Sequence, residues 1–228
     1  LNTDRIVTFS YAHVPSILPR QKILENLGFP AAEDKAKMYE NAYKKFTKAG
    51  YVAIGMDHFC RPDDEFFIAL NNNQLHRNFQ GYCTTKTTGQ VYGFGASSIS
   101  QLFSAYSQNV KNAAQYIKKI NEKNTAVLRG YKLDKNEKII RDIINSIMCN
   151  YYVDFSEISE KFKTDIVSIK KIINFSEESL RDFTDLNIME IKNDKITISH
   201  DARLFIRNIA MKFDPQLSKK IGTYSKTI

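Results

Sequence analysis

The sequence predicts an α/β domain that is followed by a mostly helical module with a small β-hairpin. In the first half, short runs of β-branched and aromatic residues flank one long amphipathic helical pattern. In the second half, isoleucine-rich helical patterns precede a hairpin turn. The composition changes close to residue 130, and we place the domain boundary so that the predicted domains cover residues 1–125 and 126–228.

The first half reads as a strand over residues 5–10, a helix over 31–48 and a second strand over 51–56. This order predicts a right-handed parallel crossover between the two strands. Asp63 or Asp64 is expected to cap a short helix that reaches about residue 71. Further along the chain, the pattern predicts a third strand over 90–94, then a helix from Ser98 or Leu102 to Asn121, then a break over 130–133.

The second half has the pattern of a winged-helix-like module. Residues 135–150 form its first predicted helix, with Ile139, Ile143 and Ile147 on one apolar face. Residues 189–198 read as a hairpin around an Asn-Asp turn. The other predicted helices cover residues 155–162, 165–174, 176–186 and 200–213.

Composition narrows the class of protein. Of the 228 residues, 43% are apolar and 25% charged, which is typical of a globular protein. No stretch approaches 18 consecutive apolar residues and no signal peptide pattern is visible, so we expect no membrane partner. Three scattered cysteines without a CxxC spacing indicate a reduced, cytoplasmic protein. The net charge of +8 favours an anionic partner, although most lysines are spread over predicted solvent-facing helix surfaces.

Residues 76–100 are the most site-like stretch, because they hold four of the nine glycines together with aromatic and amide side chains. Phe79 offers a stacking face, Gln80 offers hydrogen-bond partners, and with Ile99 they suit a purine-containing ligand. A G-x-x-x-x-G-K-[ST] motif is absent, and G-F-G lacks the third glycine of the dinucleotide fingerprint. The sequence therefore favours a ligand pocket without a phosphate-binding loop.

Other polar residues are interpreted more simply. His13, just after the first strand, is expected to be a hydrogen-bonded structural group. Asp57 and His58 are adjacent, so in an extended strand they would point to opposite faces and form no acid–base pair. Cys60 and Cys83 are interpreted as ordinary thiols.

Several sequence blocks resemble the oxygen-independent coproporphyrinogen III oxidase family, whose members are radical S-adenosylmethionine (radical SAM) enzymes of haem biosynthesis. Similar blocks occur in order along essentially the whole chain, and H-R-N-F-Q-G-Y is the most specific of them. The main blocks are F-S-Y-A-H-V-P (9–15), G-M-D-H-F-C-R-P-D-D-E (55–65), L-H-R-N-F-Q-G-Y (75–82) and G-F-G-A-S-S-I-S (93–100).

The resemblance implies the C-terminal part of an incomplete (β/α) radical-SAM barrel followed by a mostly helical, winged-helix-like domain. The family's CxxxCxxC loop, which holds a [4Fe–4S] cluster, has no counterpart in these residues. Three predicted strands also cannot close a barrel. We therefore expect a preceding barrel segment in the full protein, and we expect this chain alone to be inactive.

The resemblance further implies oxidative decarboxylation of two propionates of coproporphyrinogen III to vinyl groups, which gives protoporphyrinogen IX. It implies S-adenosylmethionine as cofactor, the source of a 5′-deoxyadenosyl radical, together with a cluster and an electron donor to it. Ala12 and Ile99 match residues that line the SAM sites, and Phe79 and Gln80 match residues near a second SAM. Arg61 or Arg77 is a candidate partner for the four substrate carboxylates.

Two alternatives remain open. A winged-helix nucleic-acid-binding protein would account for the net charge and the helix–hairpin order, but residues 166–174 carry only Lys170 and Lys171, so we expect no nucleic acid partner. A degenerate barrel that serves as a scaffold is the second alternative. If the chain is part of a barrel, exposed parallel strands at the cut edge of that barrel are expected to favour self-association.

Overall fold

The computed structural model describes residues 3–86 and 89–217. Thr87 and Thr88 of the glycine-rich stretch, and the two ends of the predicted domains, therefore lie outside the described residues. The strands are β1 (Arg5–Val7), β2 (Val52–Gly55), β3 (His58–Cys60), β4 (Leu75–Asn78), β5 (Gly81–Thr84), β6 (Ile99–Gln101), β7 (Ala105–Asn109), β8 (Val127–Lys132), β9 (Tyr152–Asp154), β10 (Met189–Lys192) and β11 (Lys195–Ile198). The α-helices are α1 (Ala32–Lys48), α2 (Glu65–Asn71), α3 (Ala113–Lys123), α4 (Lys135–Asn150), α5 (Phe155–Phe162), α6 (Ile166–Ile172), α7 (Glu177–Asp185) and α8 (Ile206–Met211). Two 3-10 segments cover Pro19–Leu27 and His200–Leu204.

The first sheet has the order β1-β3-β2, and both of its pairings are antiparallel. β1 and β2 run in the same direction, as the predicted parallel crossover requires, but β3 lies between them and pairs with both. The sequence reading missed β3 because its residues, which follow Asp57, were interpreted as a polar strand end.

The middle of the chain forms two further antiparallel sheets, β4-β5 and β6-β7-β8. Residues 90–94 contribute one isolated bridge, from Val91 to Gln101, rather than a full strand. The helix predicted from Ser98 or Leu102 is wrong over its first half, because these residues form β6 and β7. Here strand pairing on both sides of β7 overrides local helical preference. The predicted break over 130–133 falls largely within β8.

The winged-helix-like arrangement of the second half is confirmed. β9 pairs with β11, which pairs with β10, and α5 and α6 lie between β9 and β10 in the chain. The hairpin turns at Asn193 and Asp194, whose φ angles of 50° and 60° are those of a two-residue hairpin turn. Asp154 ends β9 and caps α5, accepting hydrogen bonds from the backbone N–H groups of Ser156 and Glu157.

Helix α4 lies at the centre of the main hydrophobic core. Its range agrees with the predicted one, and Asp134 and Glu137 form a capping box at its start. Ile139, Ile143 and Ile147 are fully buried on its inner face. Helix α4 packs against β2 and β4 from the first half, and against β9, α5, α6 and α8 from the second. One apolar core therefore includes residues of both predicted domains, and β8 extends the sheet formed by β6 and β7.

We predict that Ile143→Ala lowers the free energy of unfolding by about 2–5 kcal/mol, because it leaves a cavity in this shared core. Urea denaturation followed by circular dichroism measures the change. Val167→Ala is a matched control on the solvent face of α6, where 78% of the valine is exposed, and it should change stability by about 0.5 kcal/mol or less. A cost for Ile143→Ala as small as that of the control would contradict the central role of α4.

Candidate functional site

The turn between β2 and β3 brings two titratable side chains together. Met56 has a φ of 41°, so the chain reverses there and Asp57 does not continue an extended strand. The Asp57 Oδ1 atom lies 2.7 Å from Nδ1 of His58. The expectation that these neighbours form no pair is therefore wrong, because it assumed the alternating geometry of a strand.

Tyr82 holds this pair against helix α4. The His58 ring lies edge-on to the Tyr82 ring, with centroids 4.9 Å apart, and the Tyr82 hydroxyl donates to the Met148 carbonyl of α4 at 3.2 Å. Residue 55 at the end of β2 has to be glycine, because a Cβ atom there would overlap the Tyr82 hydroxyl. The tyrosine of H-R-N-F-Q-G-Y thus positions the turn, a role that the sequence reading did not assign.

Arg77 lies beside the same tyrosine, with its guanidinium carbon 5.2 Å from the ring centroid. It lines a cavity of about 220 Å³ together with Asp57, Arg203 and Arg207. Burial alone would raise the pKa of Asp57, but the hydrogen bond to His58 and the charges of His58 and Arg77 outweigh it and hold that pKa below its ordinary value. Asp57 is therefore an ionised group in a positively charged surrounding.

Phe79 and Gln80 form the turn between β4 and β5. The Phe79 N–H donates to Oε1 of the buried Gln101 at 3.2 Å, which ties this turn to β6. Phe79 is 46% exposed, which leaves part of the residue accessible to a ligand. Asn78 Oδ1 accepts from the Gln80 N–H at 2.8 Å.

Ile99 begins β6, two residues from Gln101, and is half-buried. It lines a shallow cavity of about 350 Å³ along β7 and β8. Gly93 packs against the Ile99 backbone so closely that a Cβ atom there would lie 2.8 Å from its carbonyl carbon and oxygen. Gly93, the first glycine of G-F-G, thus lets its segment approach the backbone of Ile99 closely. The hydrogen bond between Phe79 and Gln101 places the turn of Phe79 and Gln80 next to β6.

Ala12 and Arg61 have other surroundings. The exposed Ala12 lies on the segment after β1, and its carbonyl accepts from Nε2 of Gln21 at 3.0 Å. The Arg61 guanidinium stacks on the Tyr51 ring at 4.2 Å and donates to the Ala49 carbonyl at 3.3 Å. These contacts of Arg61 are structural, whereas Arg77 faces a cavity that is lined by other charged groups. The binding roles of Ala12 and Arg61 stay predictions.

His13 has the surroundings of a structural histidine. Its Nε2 atom lies 2.9 Å from Oε1 of Glu25 in the following 3-10 segment, and its ring centroid lies 4.6 Å from that of Phe29. These contacts fasten the segment after β1 to the residues before α1.

The cysteine thiols do not fit a metal cluster. Burial raises the pKa of Cys60 to about 11 and also raises the pKa values of Cys83 and Cys149, so all three favour the protonated thiol. Among residues 3–86 and 89–217, no group of three or more Cys, His, Asp or Glu side chains is arranged to hold a metal ion. The described residues therefore supply no ligand set for a [4Fe–4S] cluster.

Helix α6, at the position of a recognition helix, carries Lys170 and the exposed Lys171, and the first of them is held by the hairpin turn. Lys170 is paired with Asp194 of the hairpin turn at 2.7 Å, and it lies over the rings of Phe155 and Phe175. This contact gives Lys170 a structural role and disfavours the nucleic-acid alternative. Within the described part of the chain, no helix has the length and apolarity needed to cross a membrane.

Comparisons with known proteins extend over almost the whole chain. The oxygen-independent coproporphyrinogen III oxidase of Salmonella typhimurium is 35% identical over 226 residues, which cover 96% of this chain and 47% of that protein. The protein of the same name from Thermostichus vulcanus is 34% identical over 232 residues, which cover 100% of this chain and 70% of the relative. No protein family profile matches the sequence.

A solved structure shows the same fold. The coproporphyrinogen III oxidase of Escherichia coli, described as a radical SAM enzyme, superimposes with a TM-score of 0.84 and 34% identity over 94% of this chain and 48% of that one. The predicted fold class is thereby confirmed: the chain has the mixed α/β fold of the C-terminal portion of a radical SAM enzyme. It belongs to the oxygen-independent coproporphyrinogen III oxidase family. It spans about half the length of most of the curated relatives it matches.

We predict that His58→Leu raises the pKa of Asp57 more than Arg77→Gln does, because the hydrogen bond to His58 lowers that pKa more than the charge of Arg77. Carboxyl ¹³C NMR titration measures both changes, and Arg181→Gln on α7 should leave the pKa unchanged. Because ionised Asp57 is favoured in the fold, its stabilising effect is present above its ordinary pKa and is lost as the pH falls through the lower folded value. An Asp57 that titrates at or above about 3.9 in the wild type would contradict this description.

Proposed function

We propose that this chain forms the C-terminal wall of the active-site chamber of an oxygen-independent coproporphyrinogen III oxidase. The proposed reaction converts two propionates of coproporphyrinogen III to vinyl groups with loss of CO₂, giving protoporphyrinogen IX. The observation that carries the proposal is the combined agreement of sequence and fold with the Escherichia coli enzyme over 94% of the chain.

The turn at Phe79 and Gln80 supports a cofactor-binding role for this wall. The partly exposed Phe79 provides a stacking face, and the Gln80 side chain is exposed beside it. Ile99 adds an apolar contact from β6, and we retain Ala12 as the contribution of the segment after β1. When bound, S-adenosylmethionine supplies the radical that removes a hydrogen atom from the substrate propionate; the chain's own residues orient the cofactor and exclude water.

The iron–sulfur cluster is proposed to bind to a part of the enzyme outside these 228 residues. The thiols of Cys60 and Cys149 are buried in the core, and their raised pKa values disfavour the thiolate form that a cluster requires. The electron donor would then contact that other part. A cytoplasmic location agrees with the free state of all three cysteines.

The division at residues 125 and 126 also remains a proposal, with one refinement. The sheet of β6, β7 and β8 spans this position, and α4 packs on strands of the first half. We therefore propose two sequence regions that fold around a common core.

We predict that the full-length protein that contains this chain converts coproporphyrinogen III to protoporphyrinogen IX when it is reconstituted with its cluster under anaerobic conditions. The 228-residue chain alone should not catalyse this reaction. Product is measured by chromatography after oxidation to the porphyrin. In the full-length protein, Phe79→Ala should lower turnover by up to about tenfold, because an aromatic stacking contact contributes about 0.5–1.5 kcal/mol. Phe205→Ala is the matched control, since 52% of Phe205 is exposed.

Absence of turnover in the reconstituted full-length protein would contradict the proposed function. Equal turnover of the two phenylalanine variants would leave that function in place and remove the role of Phe79.

We also predict that the isolated chain self-associates through β8. All six residues of this strand are exposed, and Val127, Leu128 and Tyr131 give it an apolar content that is unusual for an edge. Leu128→Lys should reduce the association measured by light scattering, whereas Ile117→Lys on α3, where 59% of the isoleucine is exposed, should not. A wild-type chain that stays monomeric at all concentrations would contradict the prediction.

A further inference from the structure

A small polar cavity is lined by side chains that the proposed function does not use. It has a volume of about 290 Å³, and His76 of β4, Gln101 of β6, and Arg141 and Asn145 of α4 contribute to its wall. Residues 141 and 145 are four apart, a spacing that places both side chains on one face of the helix. His76 and Arg77 are neighbours on β4 and face opposite sides of the strand, so this cavity is distinct from the one that Arg77 lines.

Three of these side chains have hydrogen-bonding groups without a partner. Gln101 is only 8% exposed, and its Oε1 atom accepts from the Phe79 N–H, but no described residue accepts a hydrogen bond from its Nε2 atom. The ring nitrogens of His76 and the side-chain amide of Asn145, both half-buried, likewise have no hydrogen-bond partner among residues 3–86 and 89–217. Because buried polar groups are nearly always hydrogen-bonded in native proteins, we expect a bound polar molecule to satisfy them.

The wall of the cavity carries a net positive charge. Asp142 is the one carboxylate among the described residues that line it, and its Oδ1 atom lies 2.7 Å from Nζ of Lys161, so these two charges neutralise each other. Arg141 donates instead to the main-chain carbonyls of Leu102 and Phe103, at 3.2 and 2.5 Å, and it forms no ion pair with a described carboxylate. The charge of Arg141 is therefore not neutralised, which favours an anion in the cavity.

His76 adds a neutral imidazole to this wall. Burial is the main cause that lowers the pKa of His76. The charges of Arg141 and Lys161 also lower this pKa, whereas the charge of Asp142 raises it. An anion in contact with the ring would favour the imidazolium form, so binding of an anion and protonation of His76 should strengthen each other.

Size and geometry restrict what the anion can be. A volume of about 290 Å³ lies at the lower limit of the range of roughly 300–1,000 Å³ that is typical of cofactor-sized ligands, so a small ion fits best. The N–H donors of His76, Gln101 and Asn145 belong to three different elements and are not arranged as one planar fork. A tetrahedral oxyanion has acceptor oxygens in several directions, whereas a carboxylate accepts hydrogen bonds close to one plane.

We propose that His76, Gln101, Arg141 and Asn145 form a binding site for a small tetrahedral oxyanion of the phosphate class. A bound ion would join α4 to β4 and β6, and through Gln101 it would support the turn that holds Phe79. The site goes beyond the proposed function and does not depend on it.

The test is a titration of the 228-residue chain, with ¹³C-labelled histidine, by inorganic phosphate. NMR follows the imidazole signals, and the signal that is lost in His76→Gln belongs to His76. Phosphate should shift this signal in a saturable manner and raise the pKa of His76, whereas the signal of the exposed His200 should not change. Potassium chloride at the same ionic strength should shift neither signal. Acetate, a planar carboxylate, should bind about tenfold more weakly than phosphate, the effect of one lost charge-assisted hydrogen bond.

Two variants test the wall of the site. Asn145→Ala and Arg141→Gln should each weaken phosphate binding about tenfold or more, because each removes a hydrogen bond to a charged group. Asn136→Ala, at an exposed position of the same helix, and Arg181→Gln, at an exposed position of α7, are the matched controls and should leave the affinity unchanged. Circular dichroism checks that each variant is folded. Should Arg141→Gln impair the fold, Asn145→Ala decides the outcome.

Any of four results would overturn the inference. The first is the absence of a saturable His76 shift with phosphate, which would mean that the cavity holds only water. The others are an equal shift with chloride, acetate binding as tight as that of phosphate, and unchanged phosphate affinity in folded Asn145→Ala. None of these measurements depends on turnover by the full-length protein, so a failure of this site is distinguishable from a failure of the proposed function.

Discussion

The burial of one face of α4 is the constraint on which the rest of the structure depends. Ile139, Ile143 and Ile147 fill the space between strands of the first half and helices of the second. Each buried isoleucine contributes roughly 1.5–3 kcal/mol by leaving water, a large share of the net stability of a typical domain. The two halves therefore have a fixed relative position, although the sequence indicates different structural classes for them.

This fixed position has chemical consequences, because charged groups from both halves meet at the α4 junction. Tyr82 contacts α4 through the Met148 carbonyl and also supports His58 and Arg77. Arg203 reaches the same cavity from the segment that leads into α8. A winged-helix-like module commonly suggests nucleic-acid binding, but here its second 3-10 segment and α8 line a cavity together with residues of β4 and of the β2–β3 turn. The fold of this module therefore does not by itself establish its function.

The site residues differ in how far the sequence could locate them. Phe79 and Gln80 were singled out for their aromatic and amide side chains inside a distinctive motif, but the β4–β5 turn that exposes them was not predicted. The Asp57–His58 pair was missed, because one left-handed residue, Met56, changes the direction of the following side chains. A single φ angle of this kind leaves no mark in residue periodicity. The sequence also did not predict that Arg203 and Arg207 line the same cavity as Arg77, because these segments are more than 120 residues apart.

The sequence by itself determined the elements whose stability is local. Helix α4 with its capping box, helix α2 with its Asp64 cap and the hairpin at Asn193–Asp194 all follow from periodicity, capping and turn chemistry. Only the tertiary structure decided the strand partners. β3 lies between β1 and β2, and residues 99–109 pair as strands where a helix was predicted. The physical reason is that strand partners are distant in sequence, so their hydrogen bonds depend on the packing of the whole chain rather than on neighbouring residues.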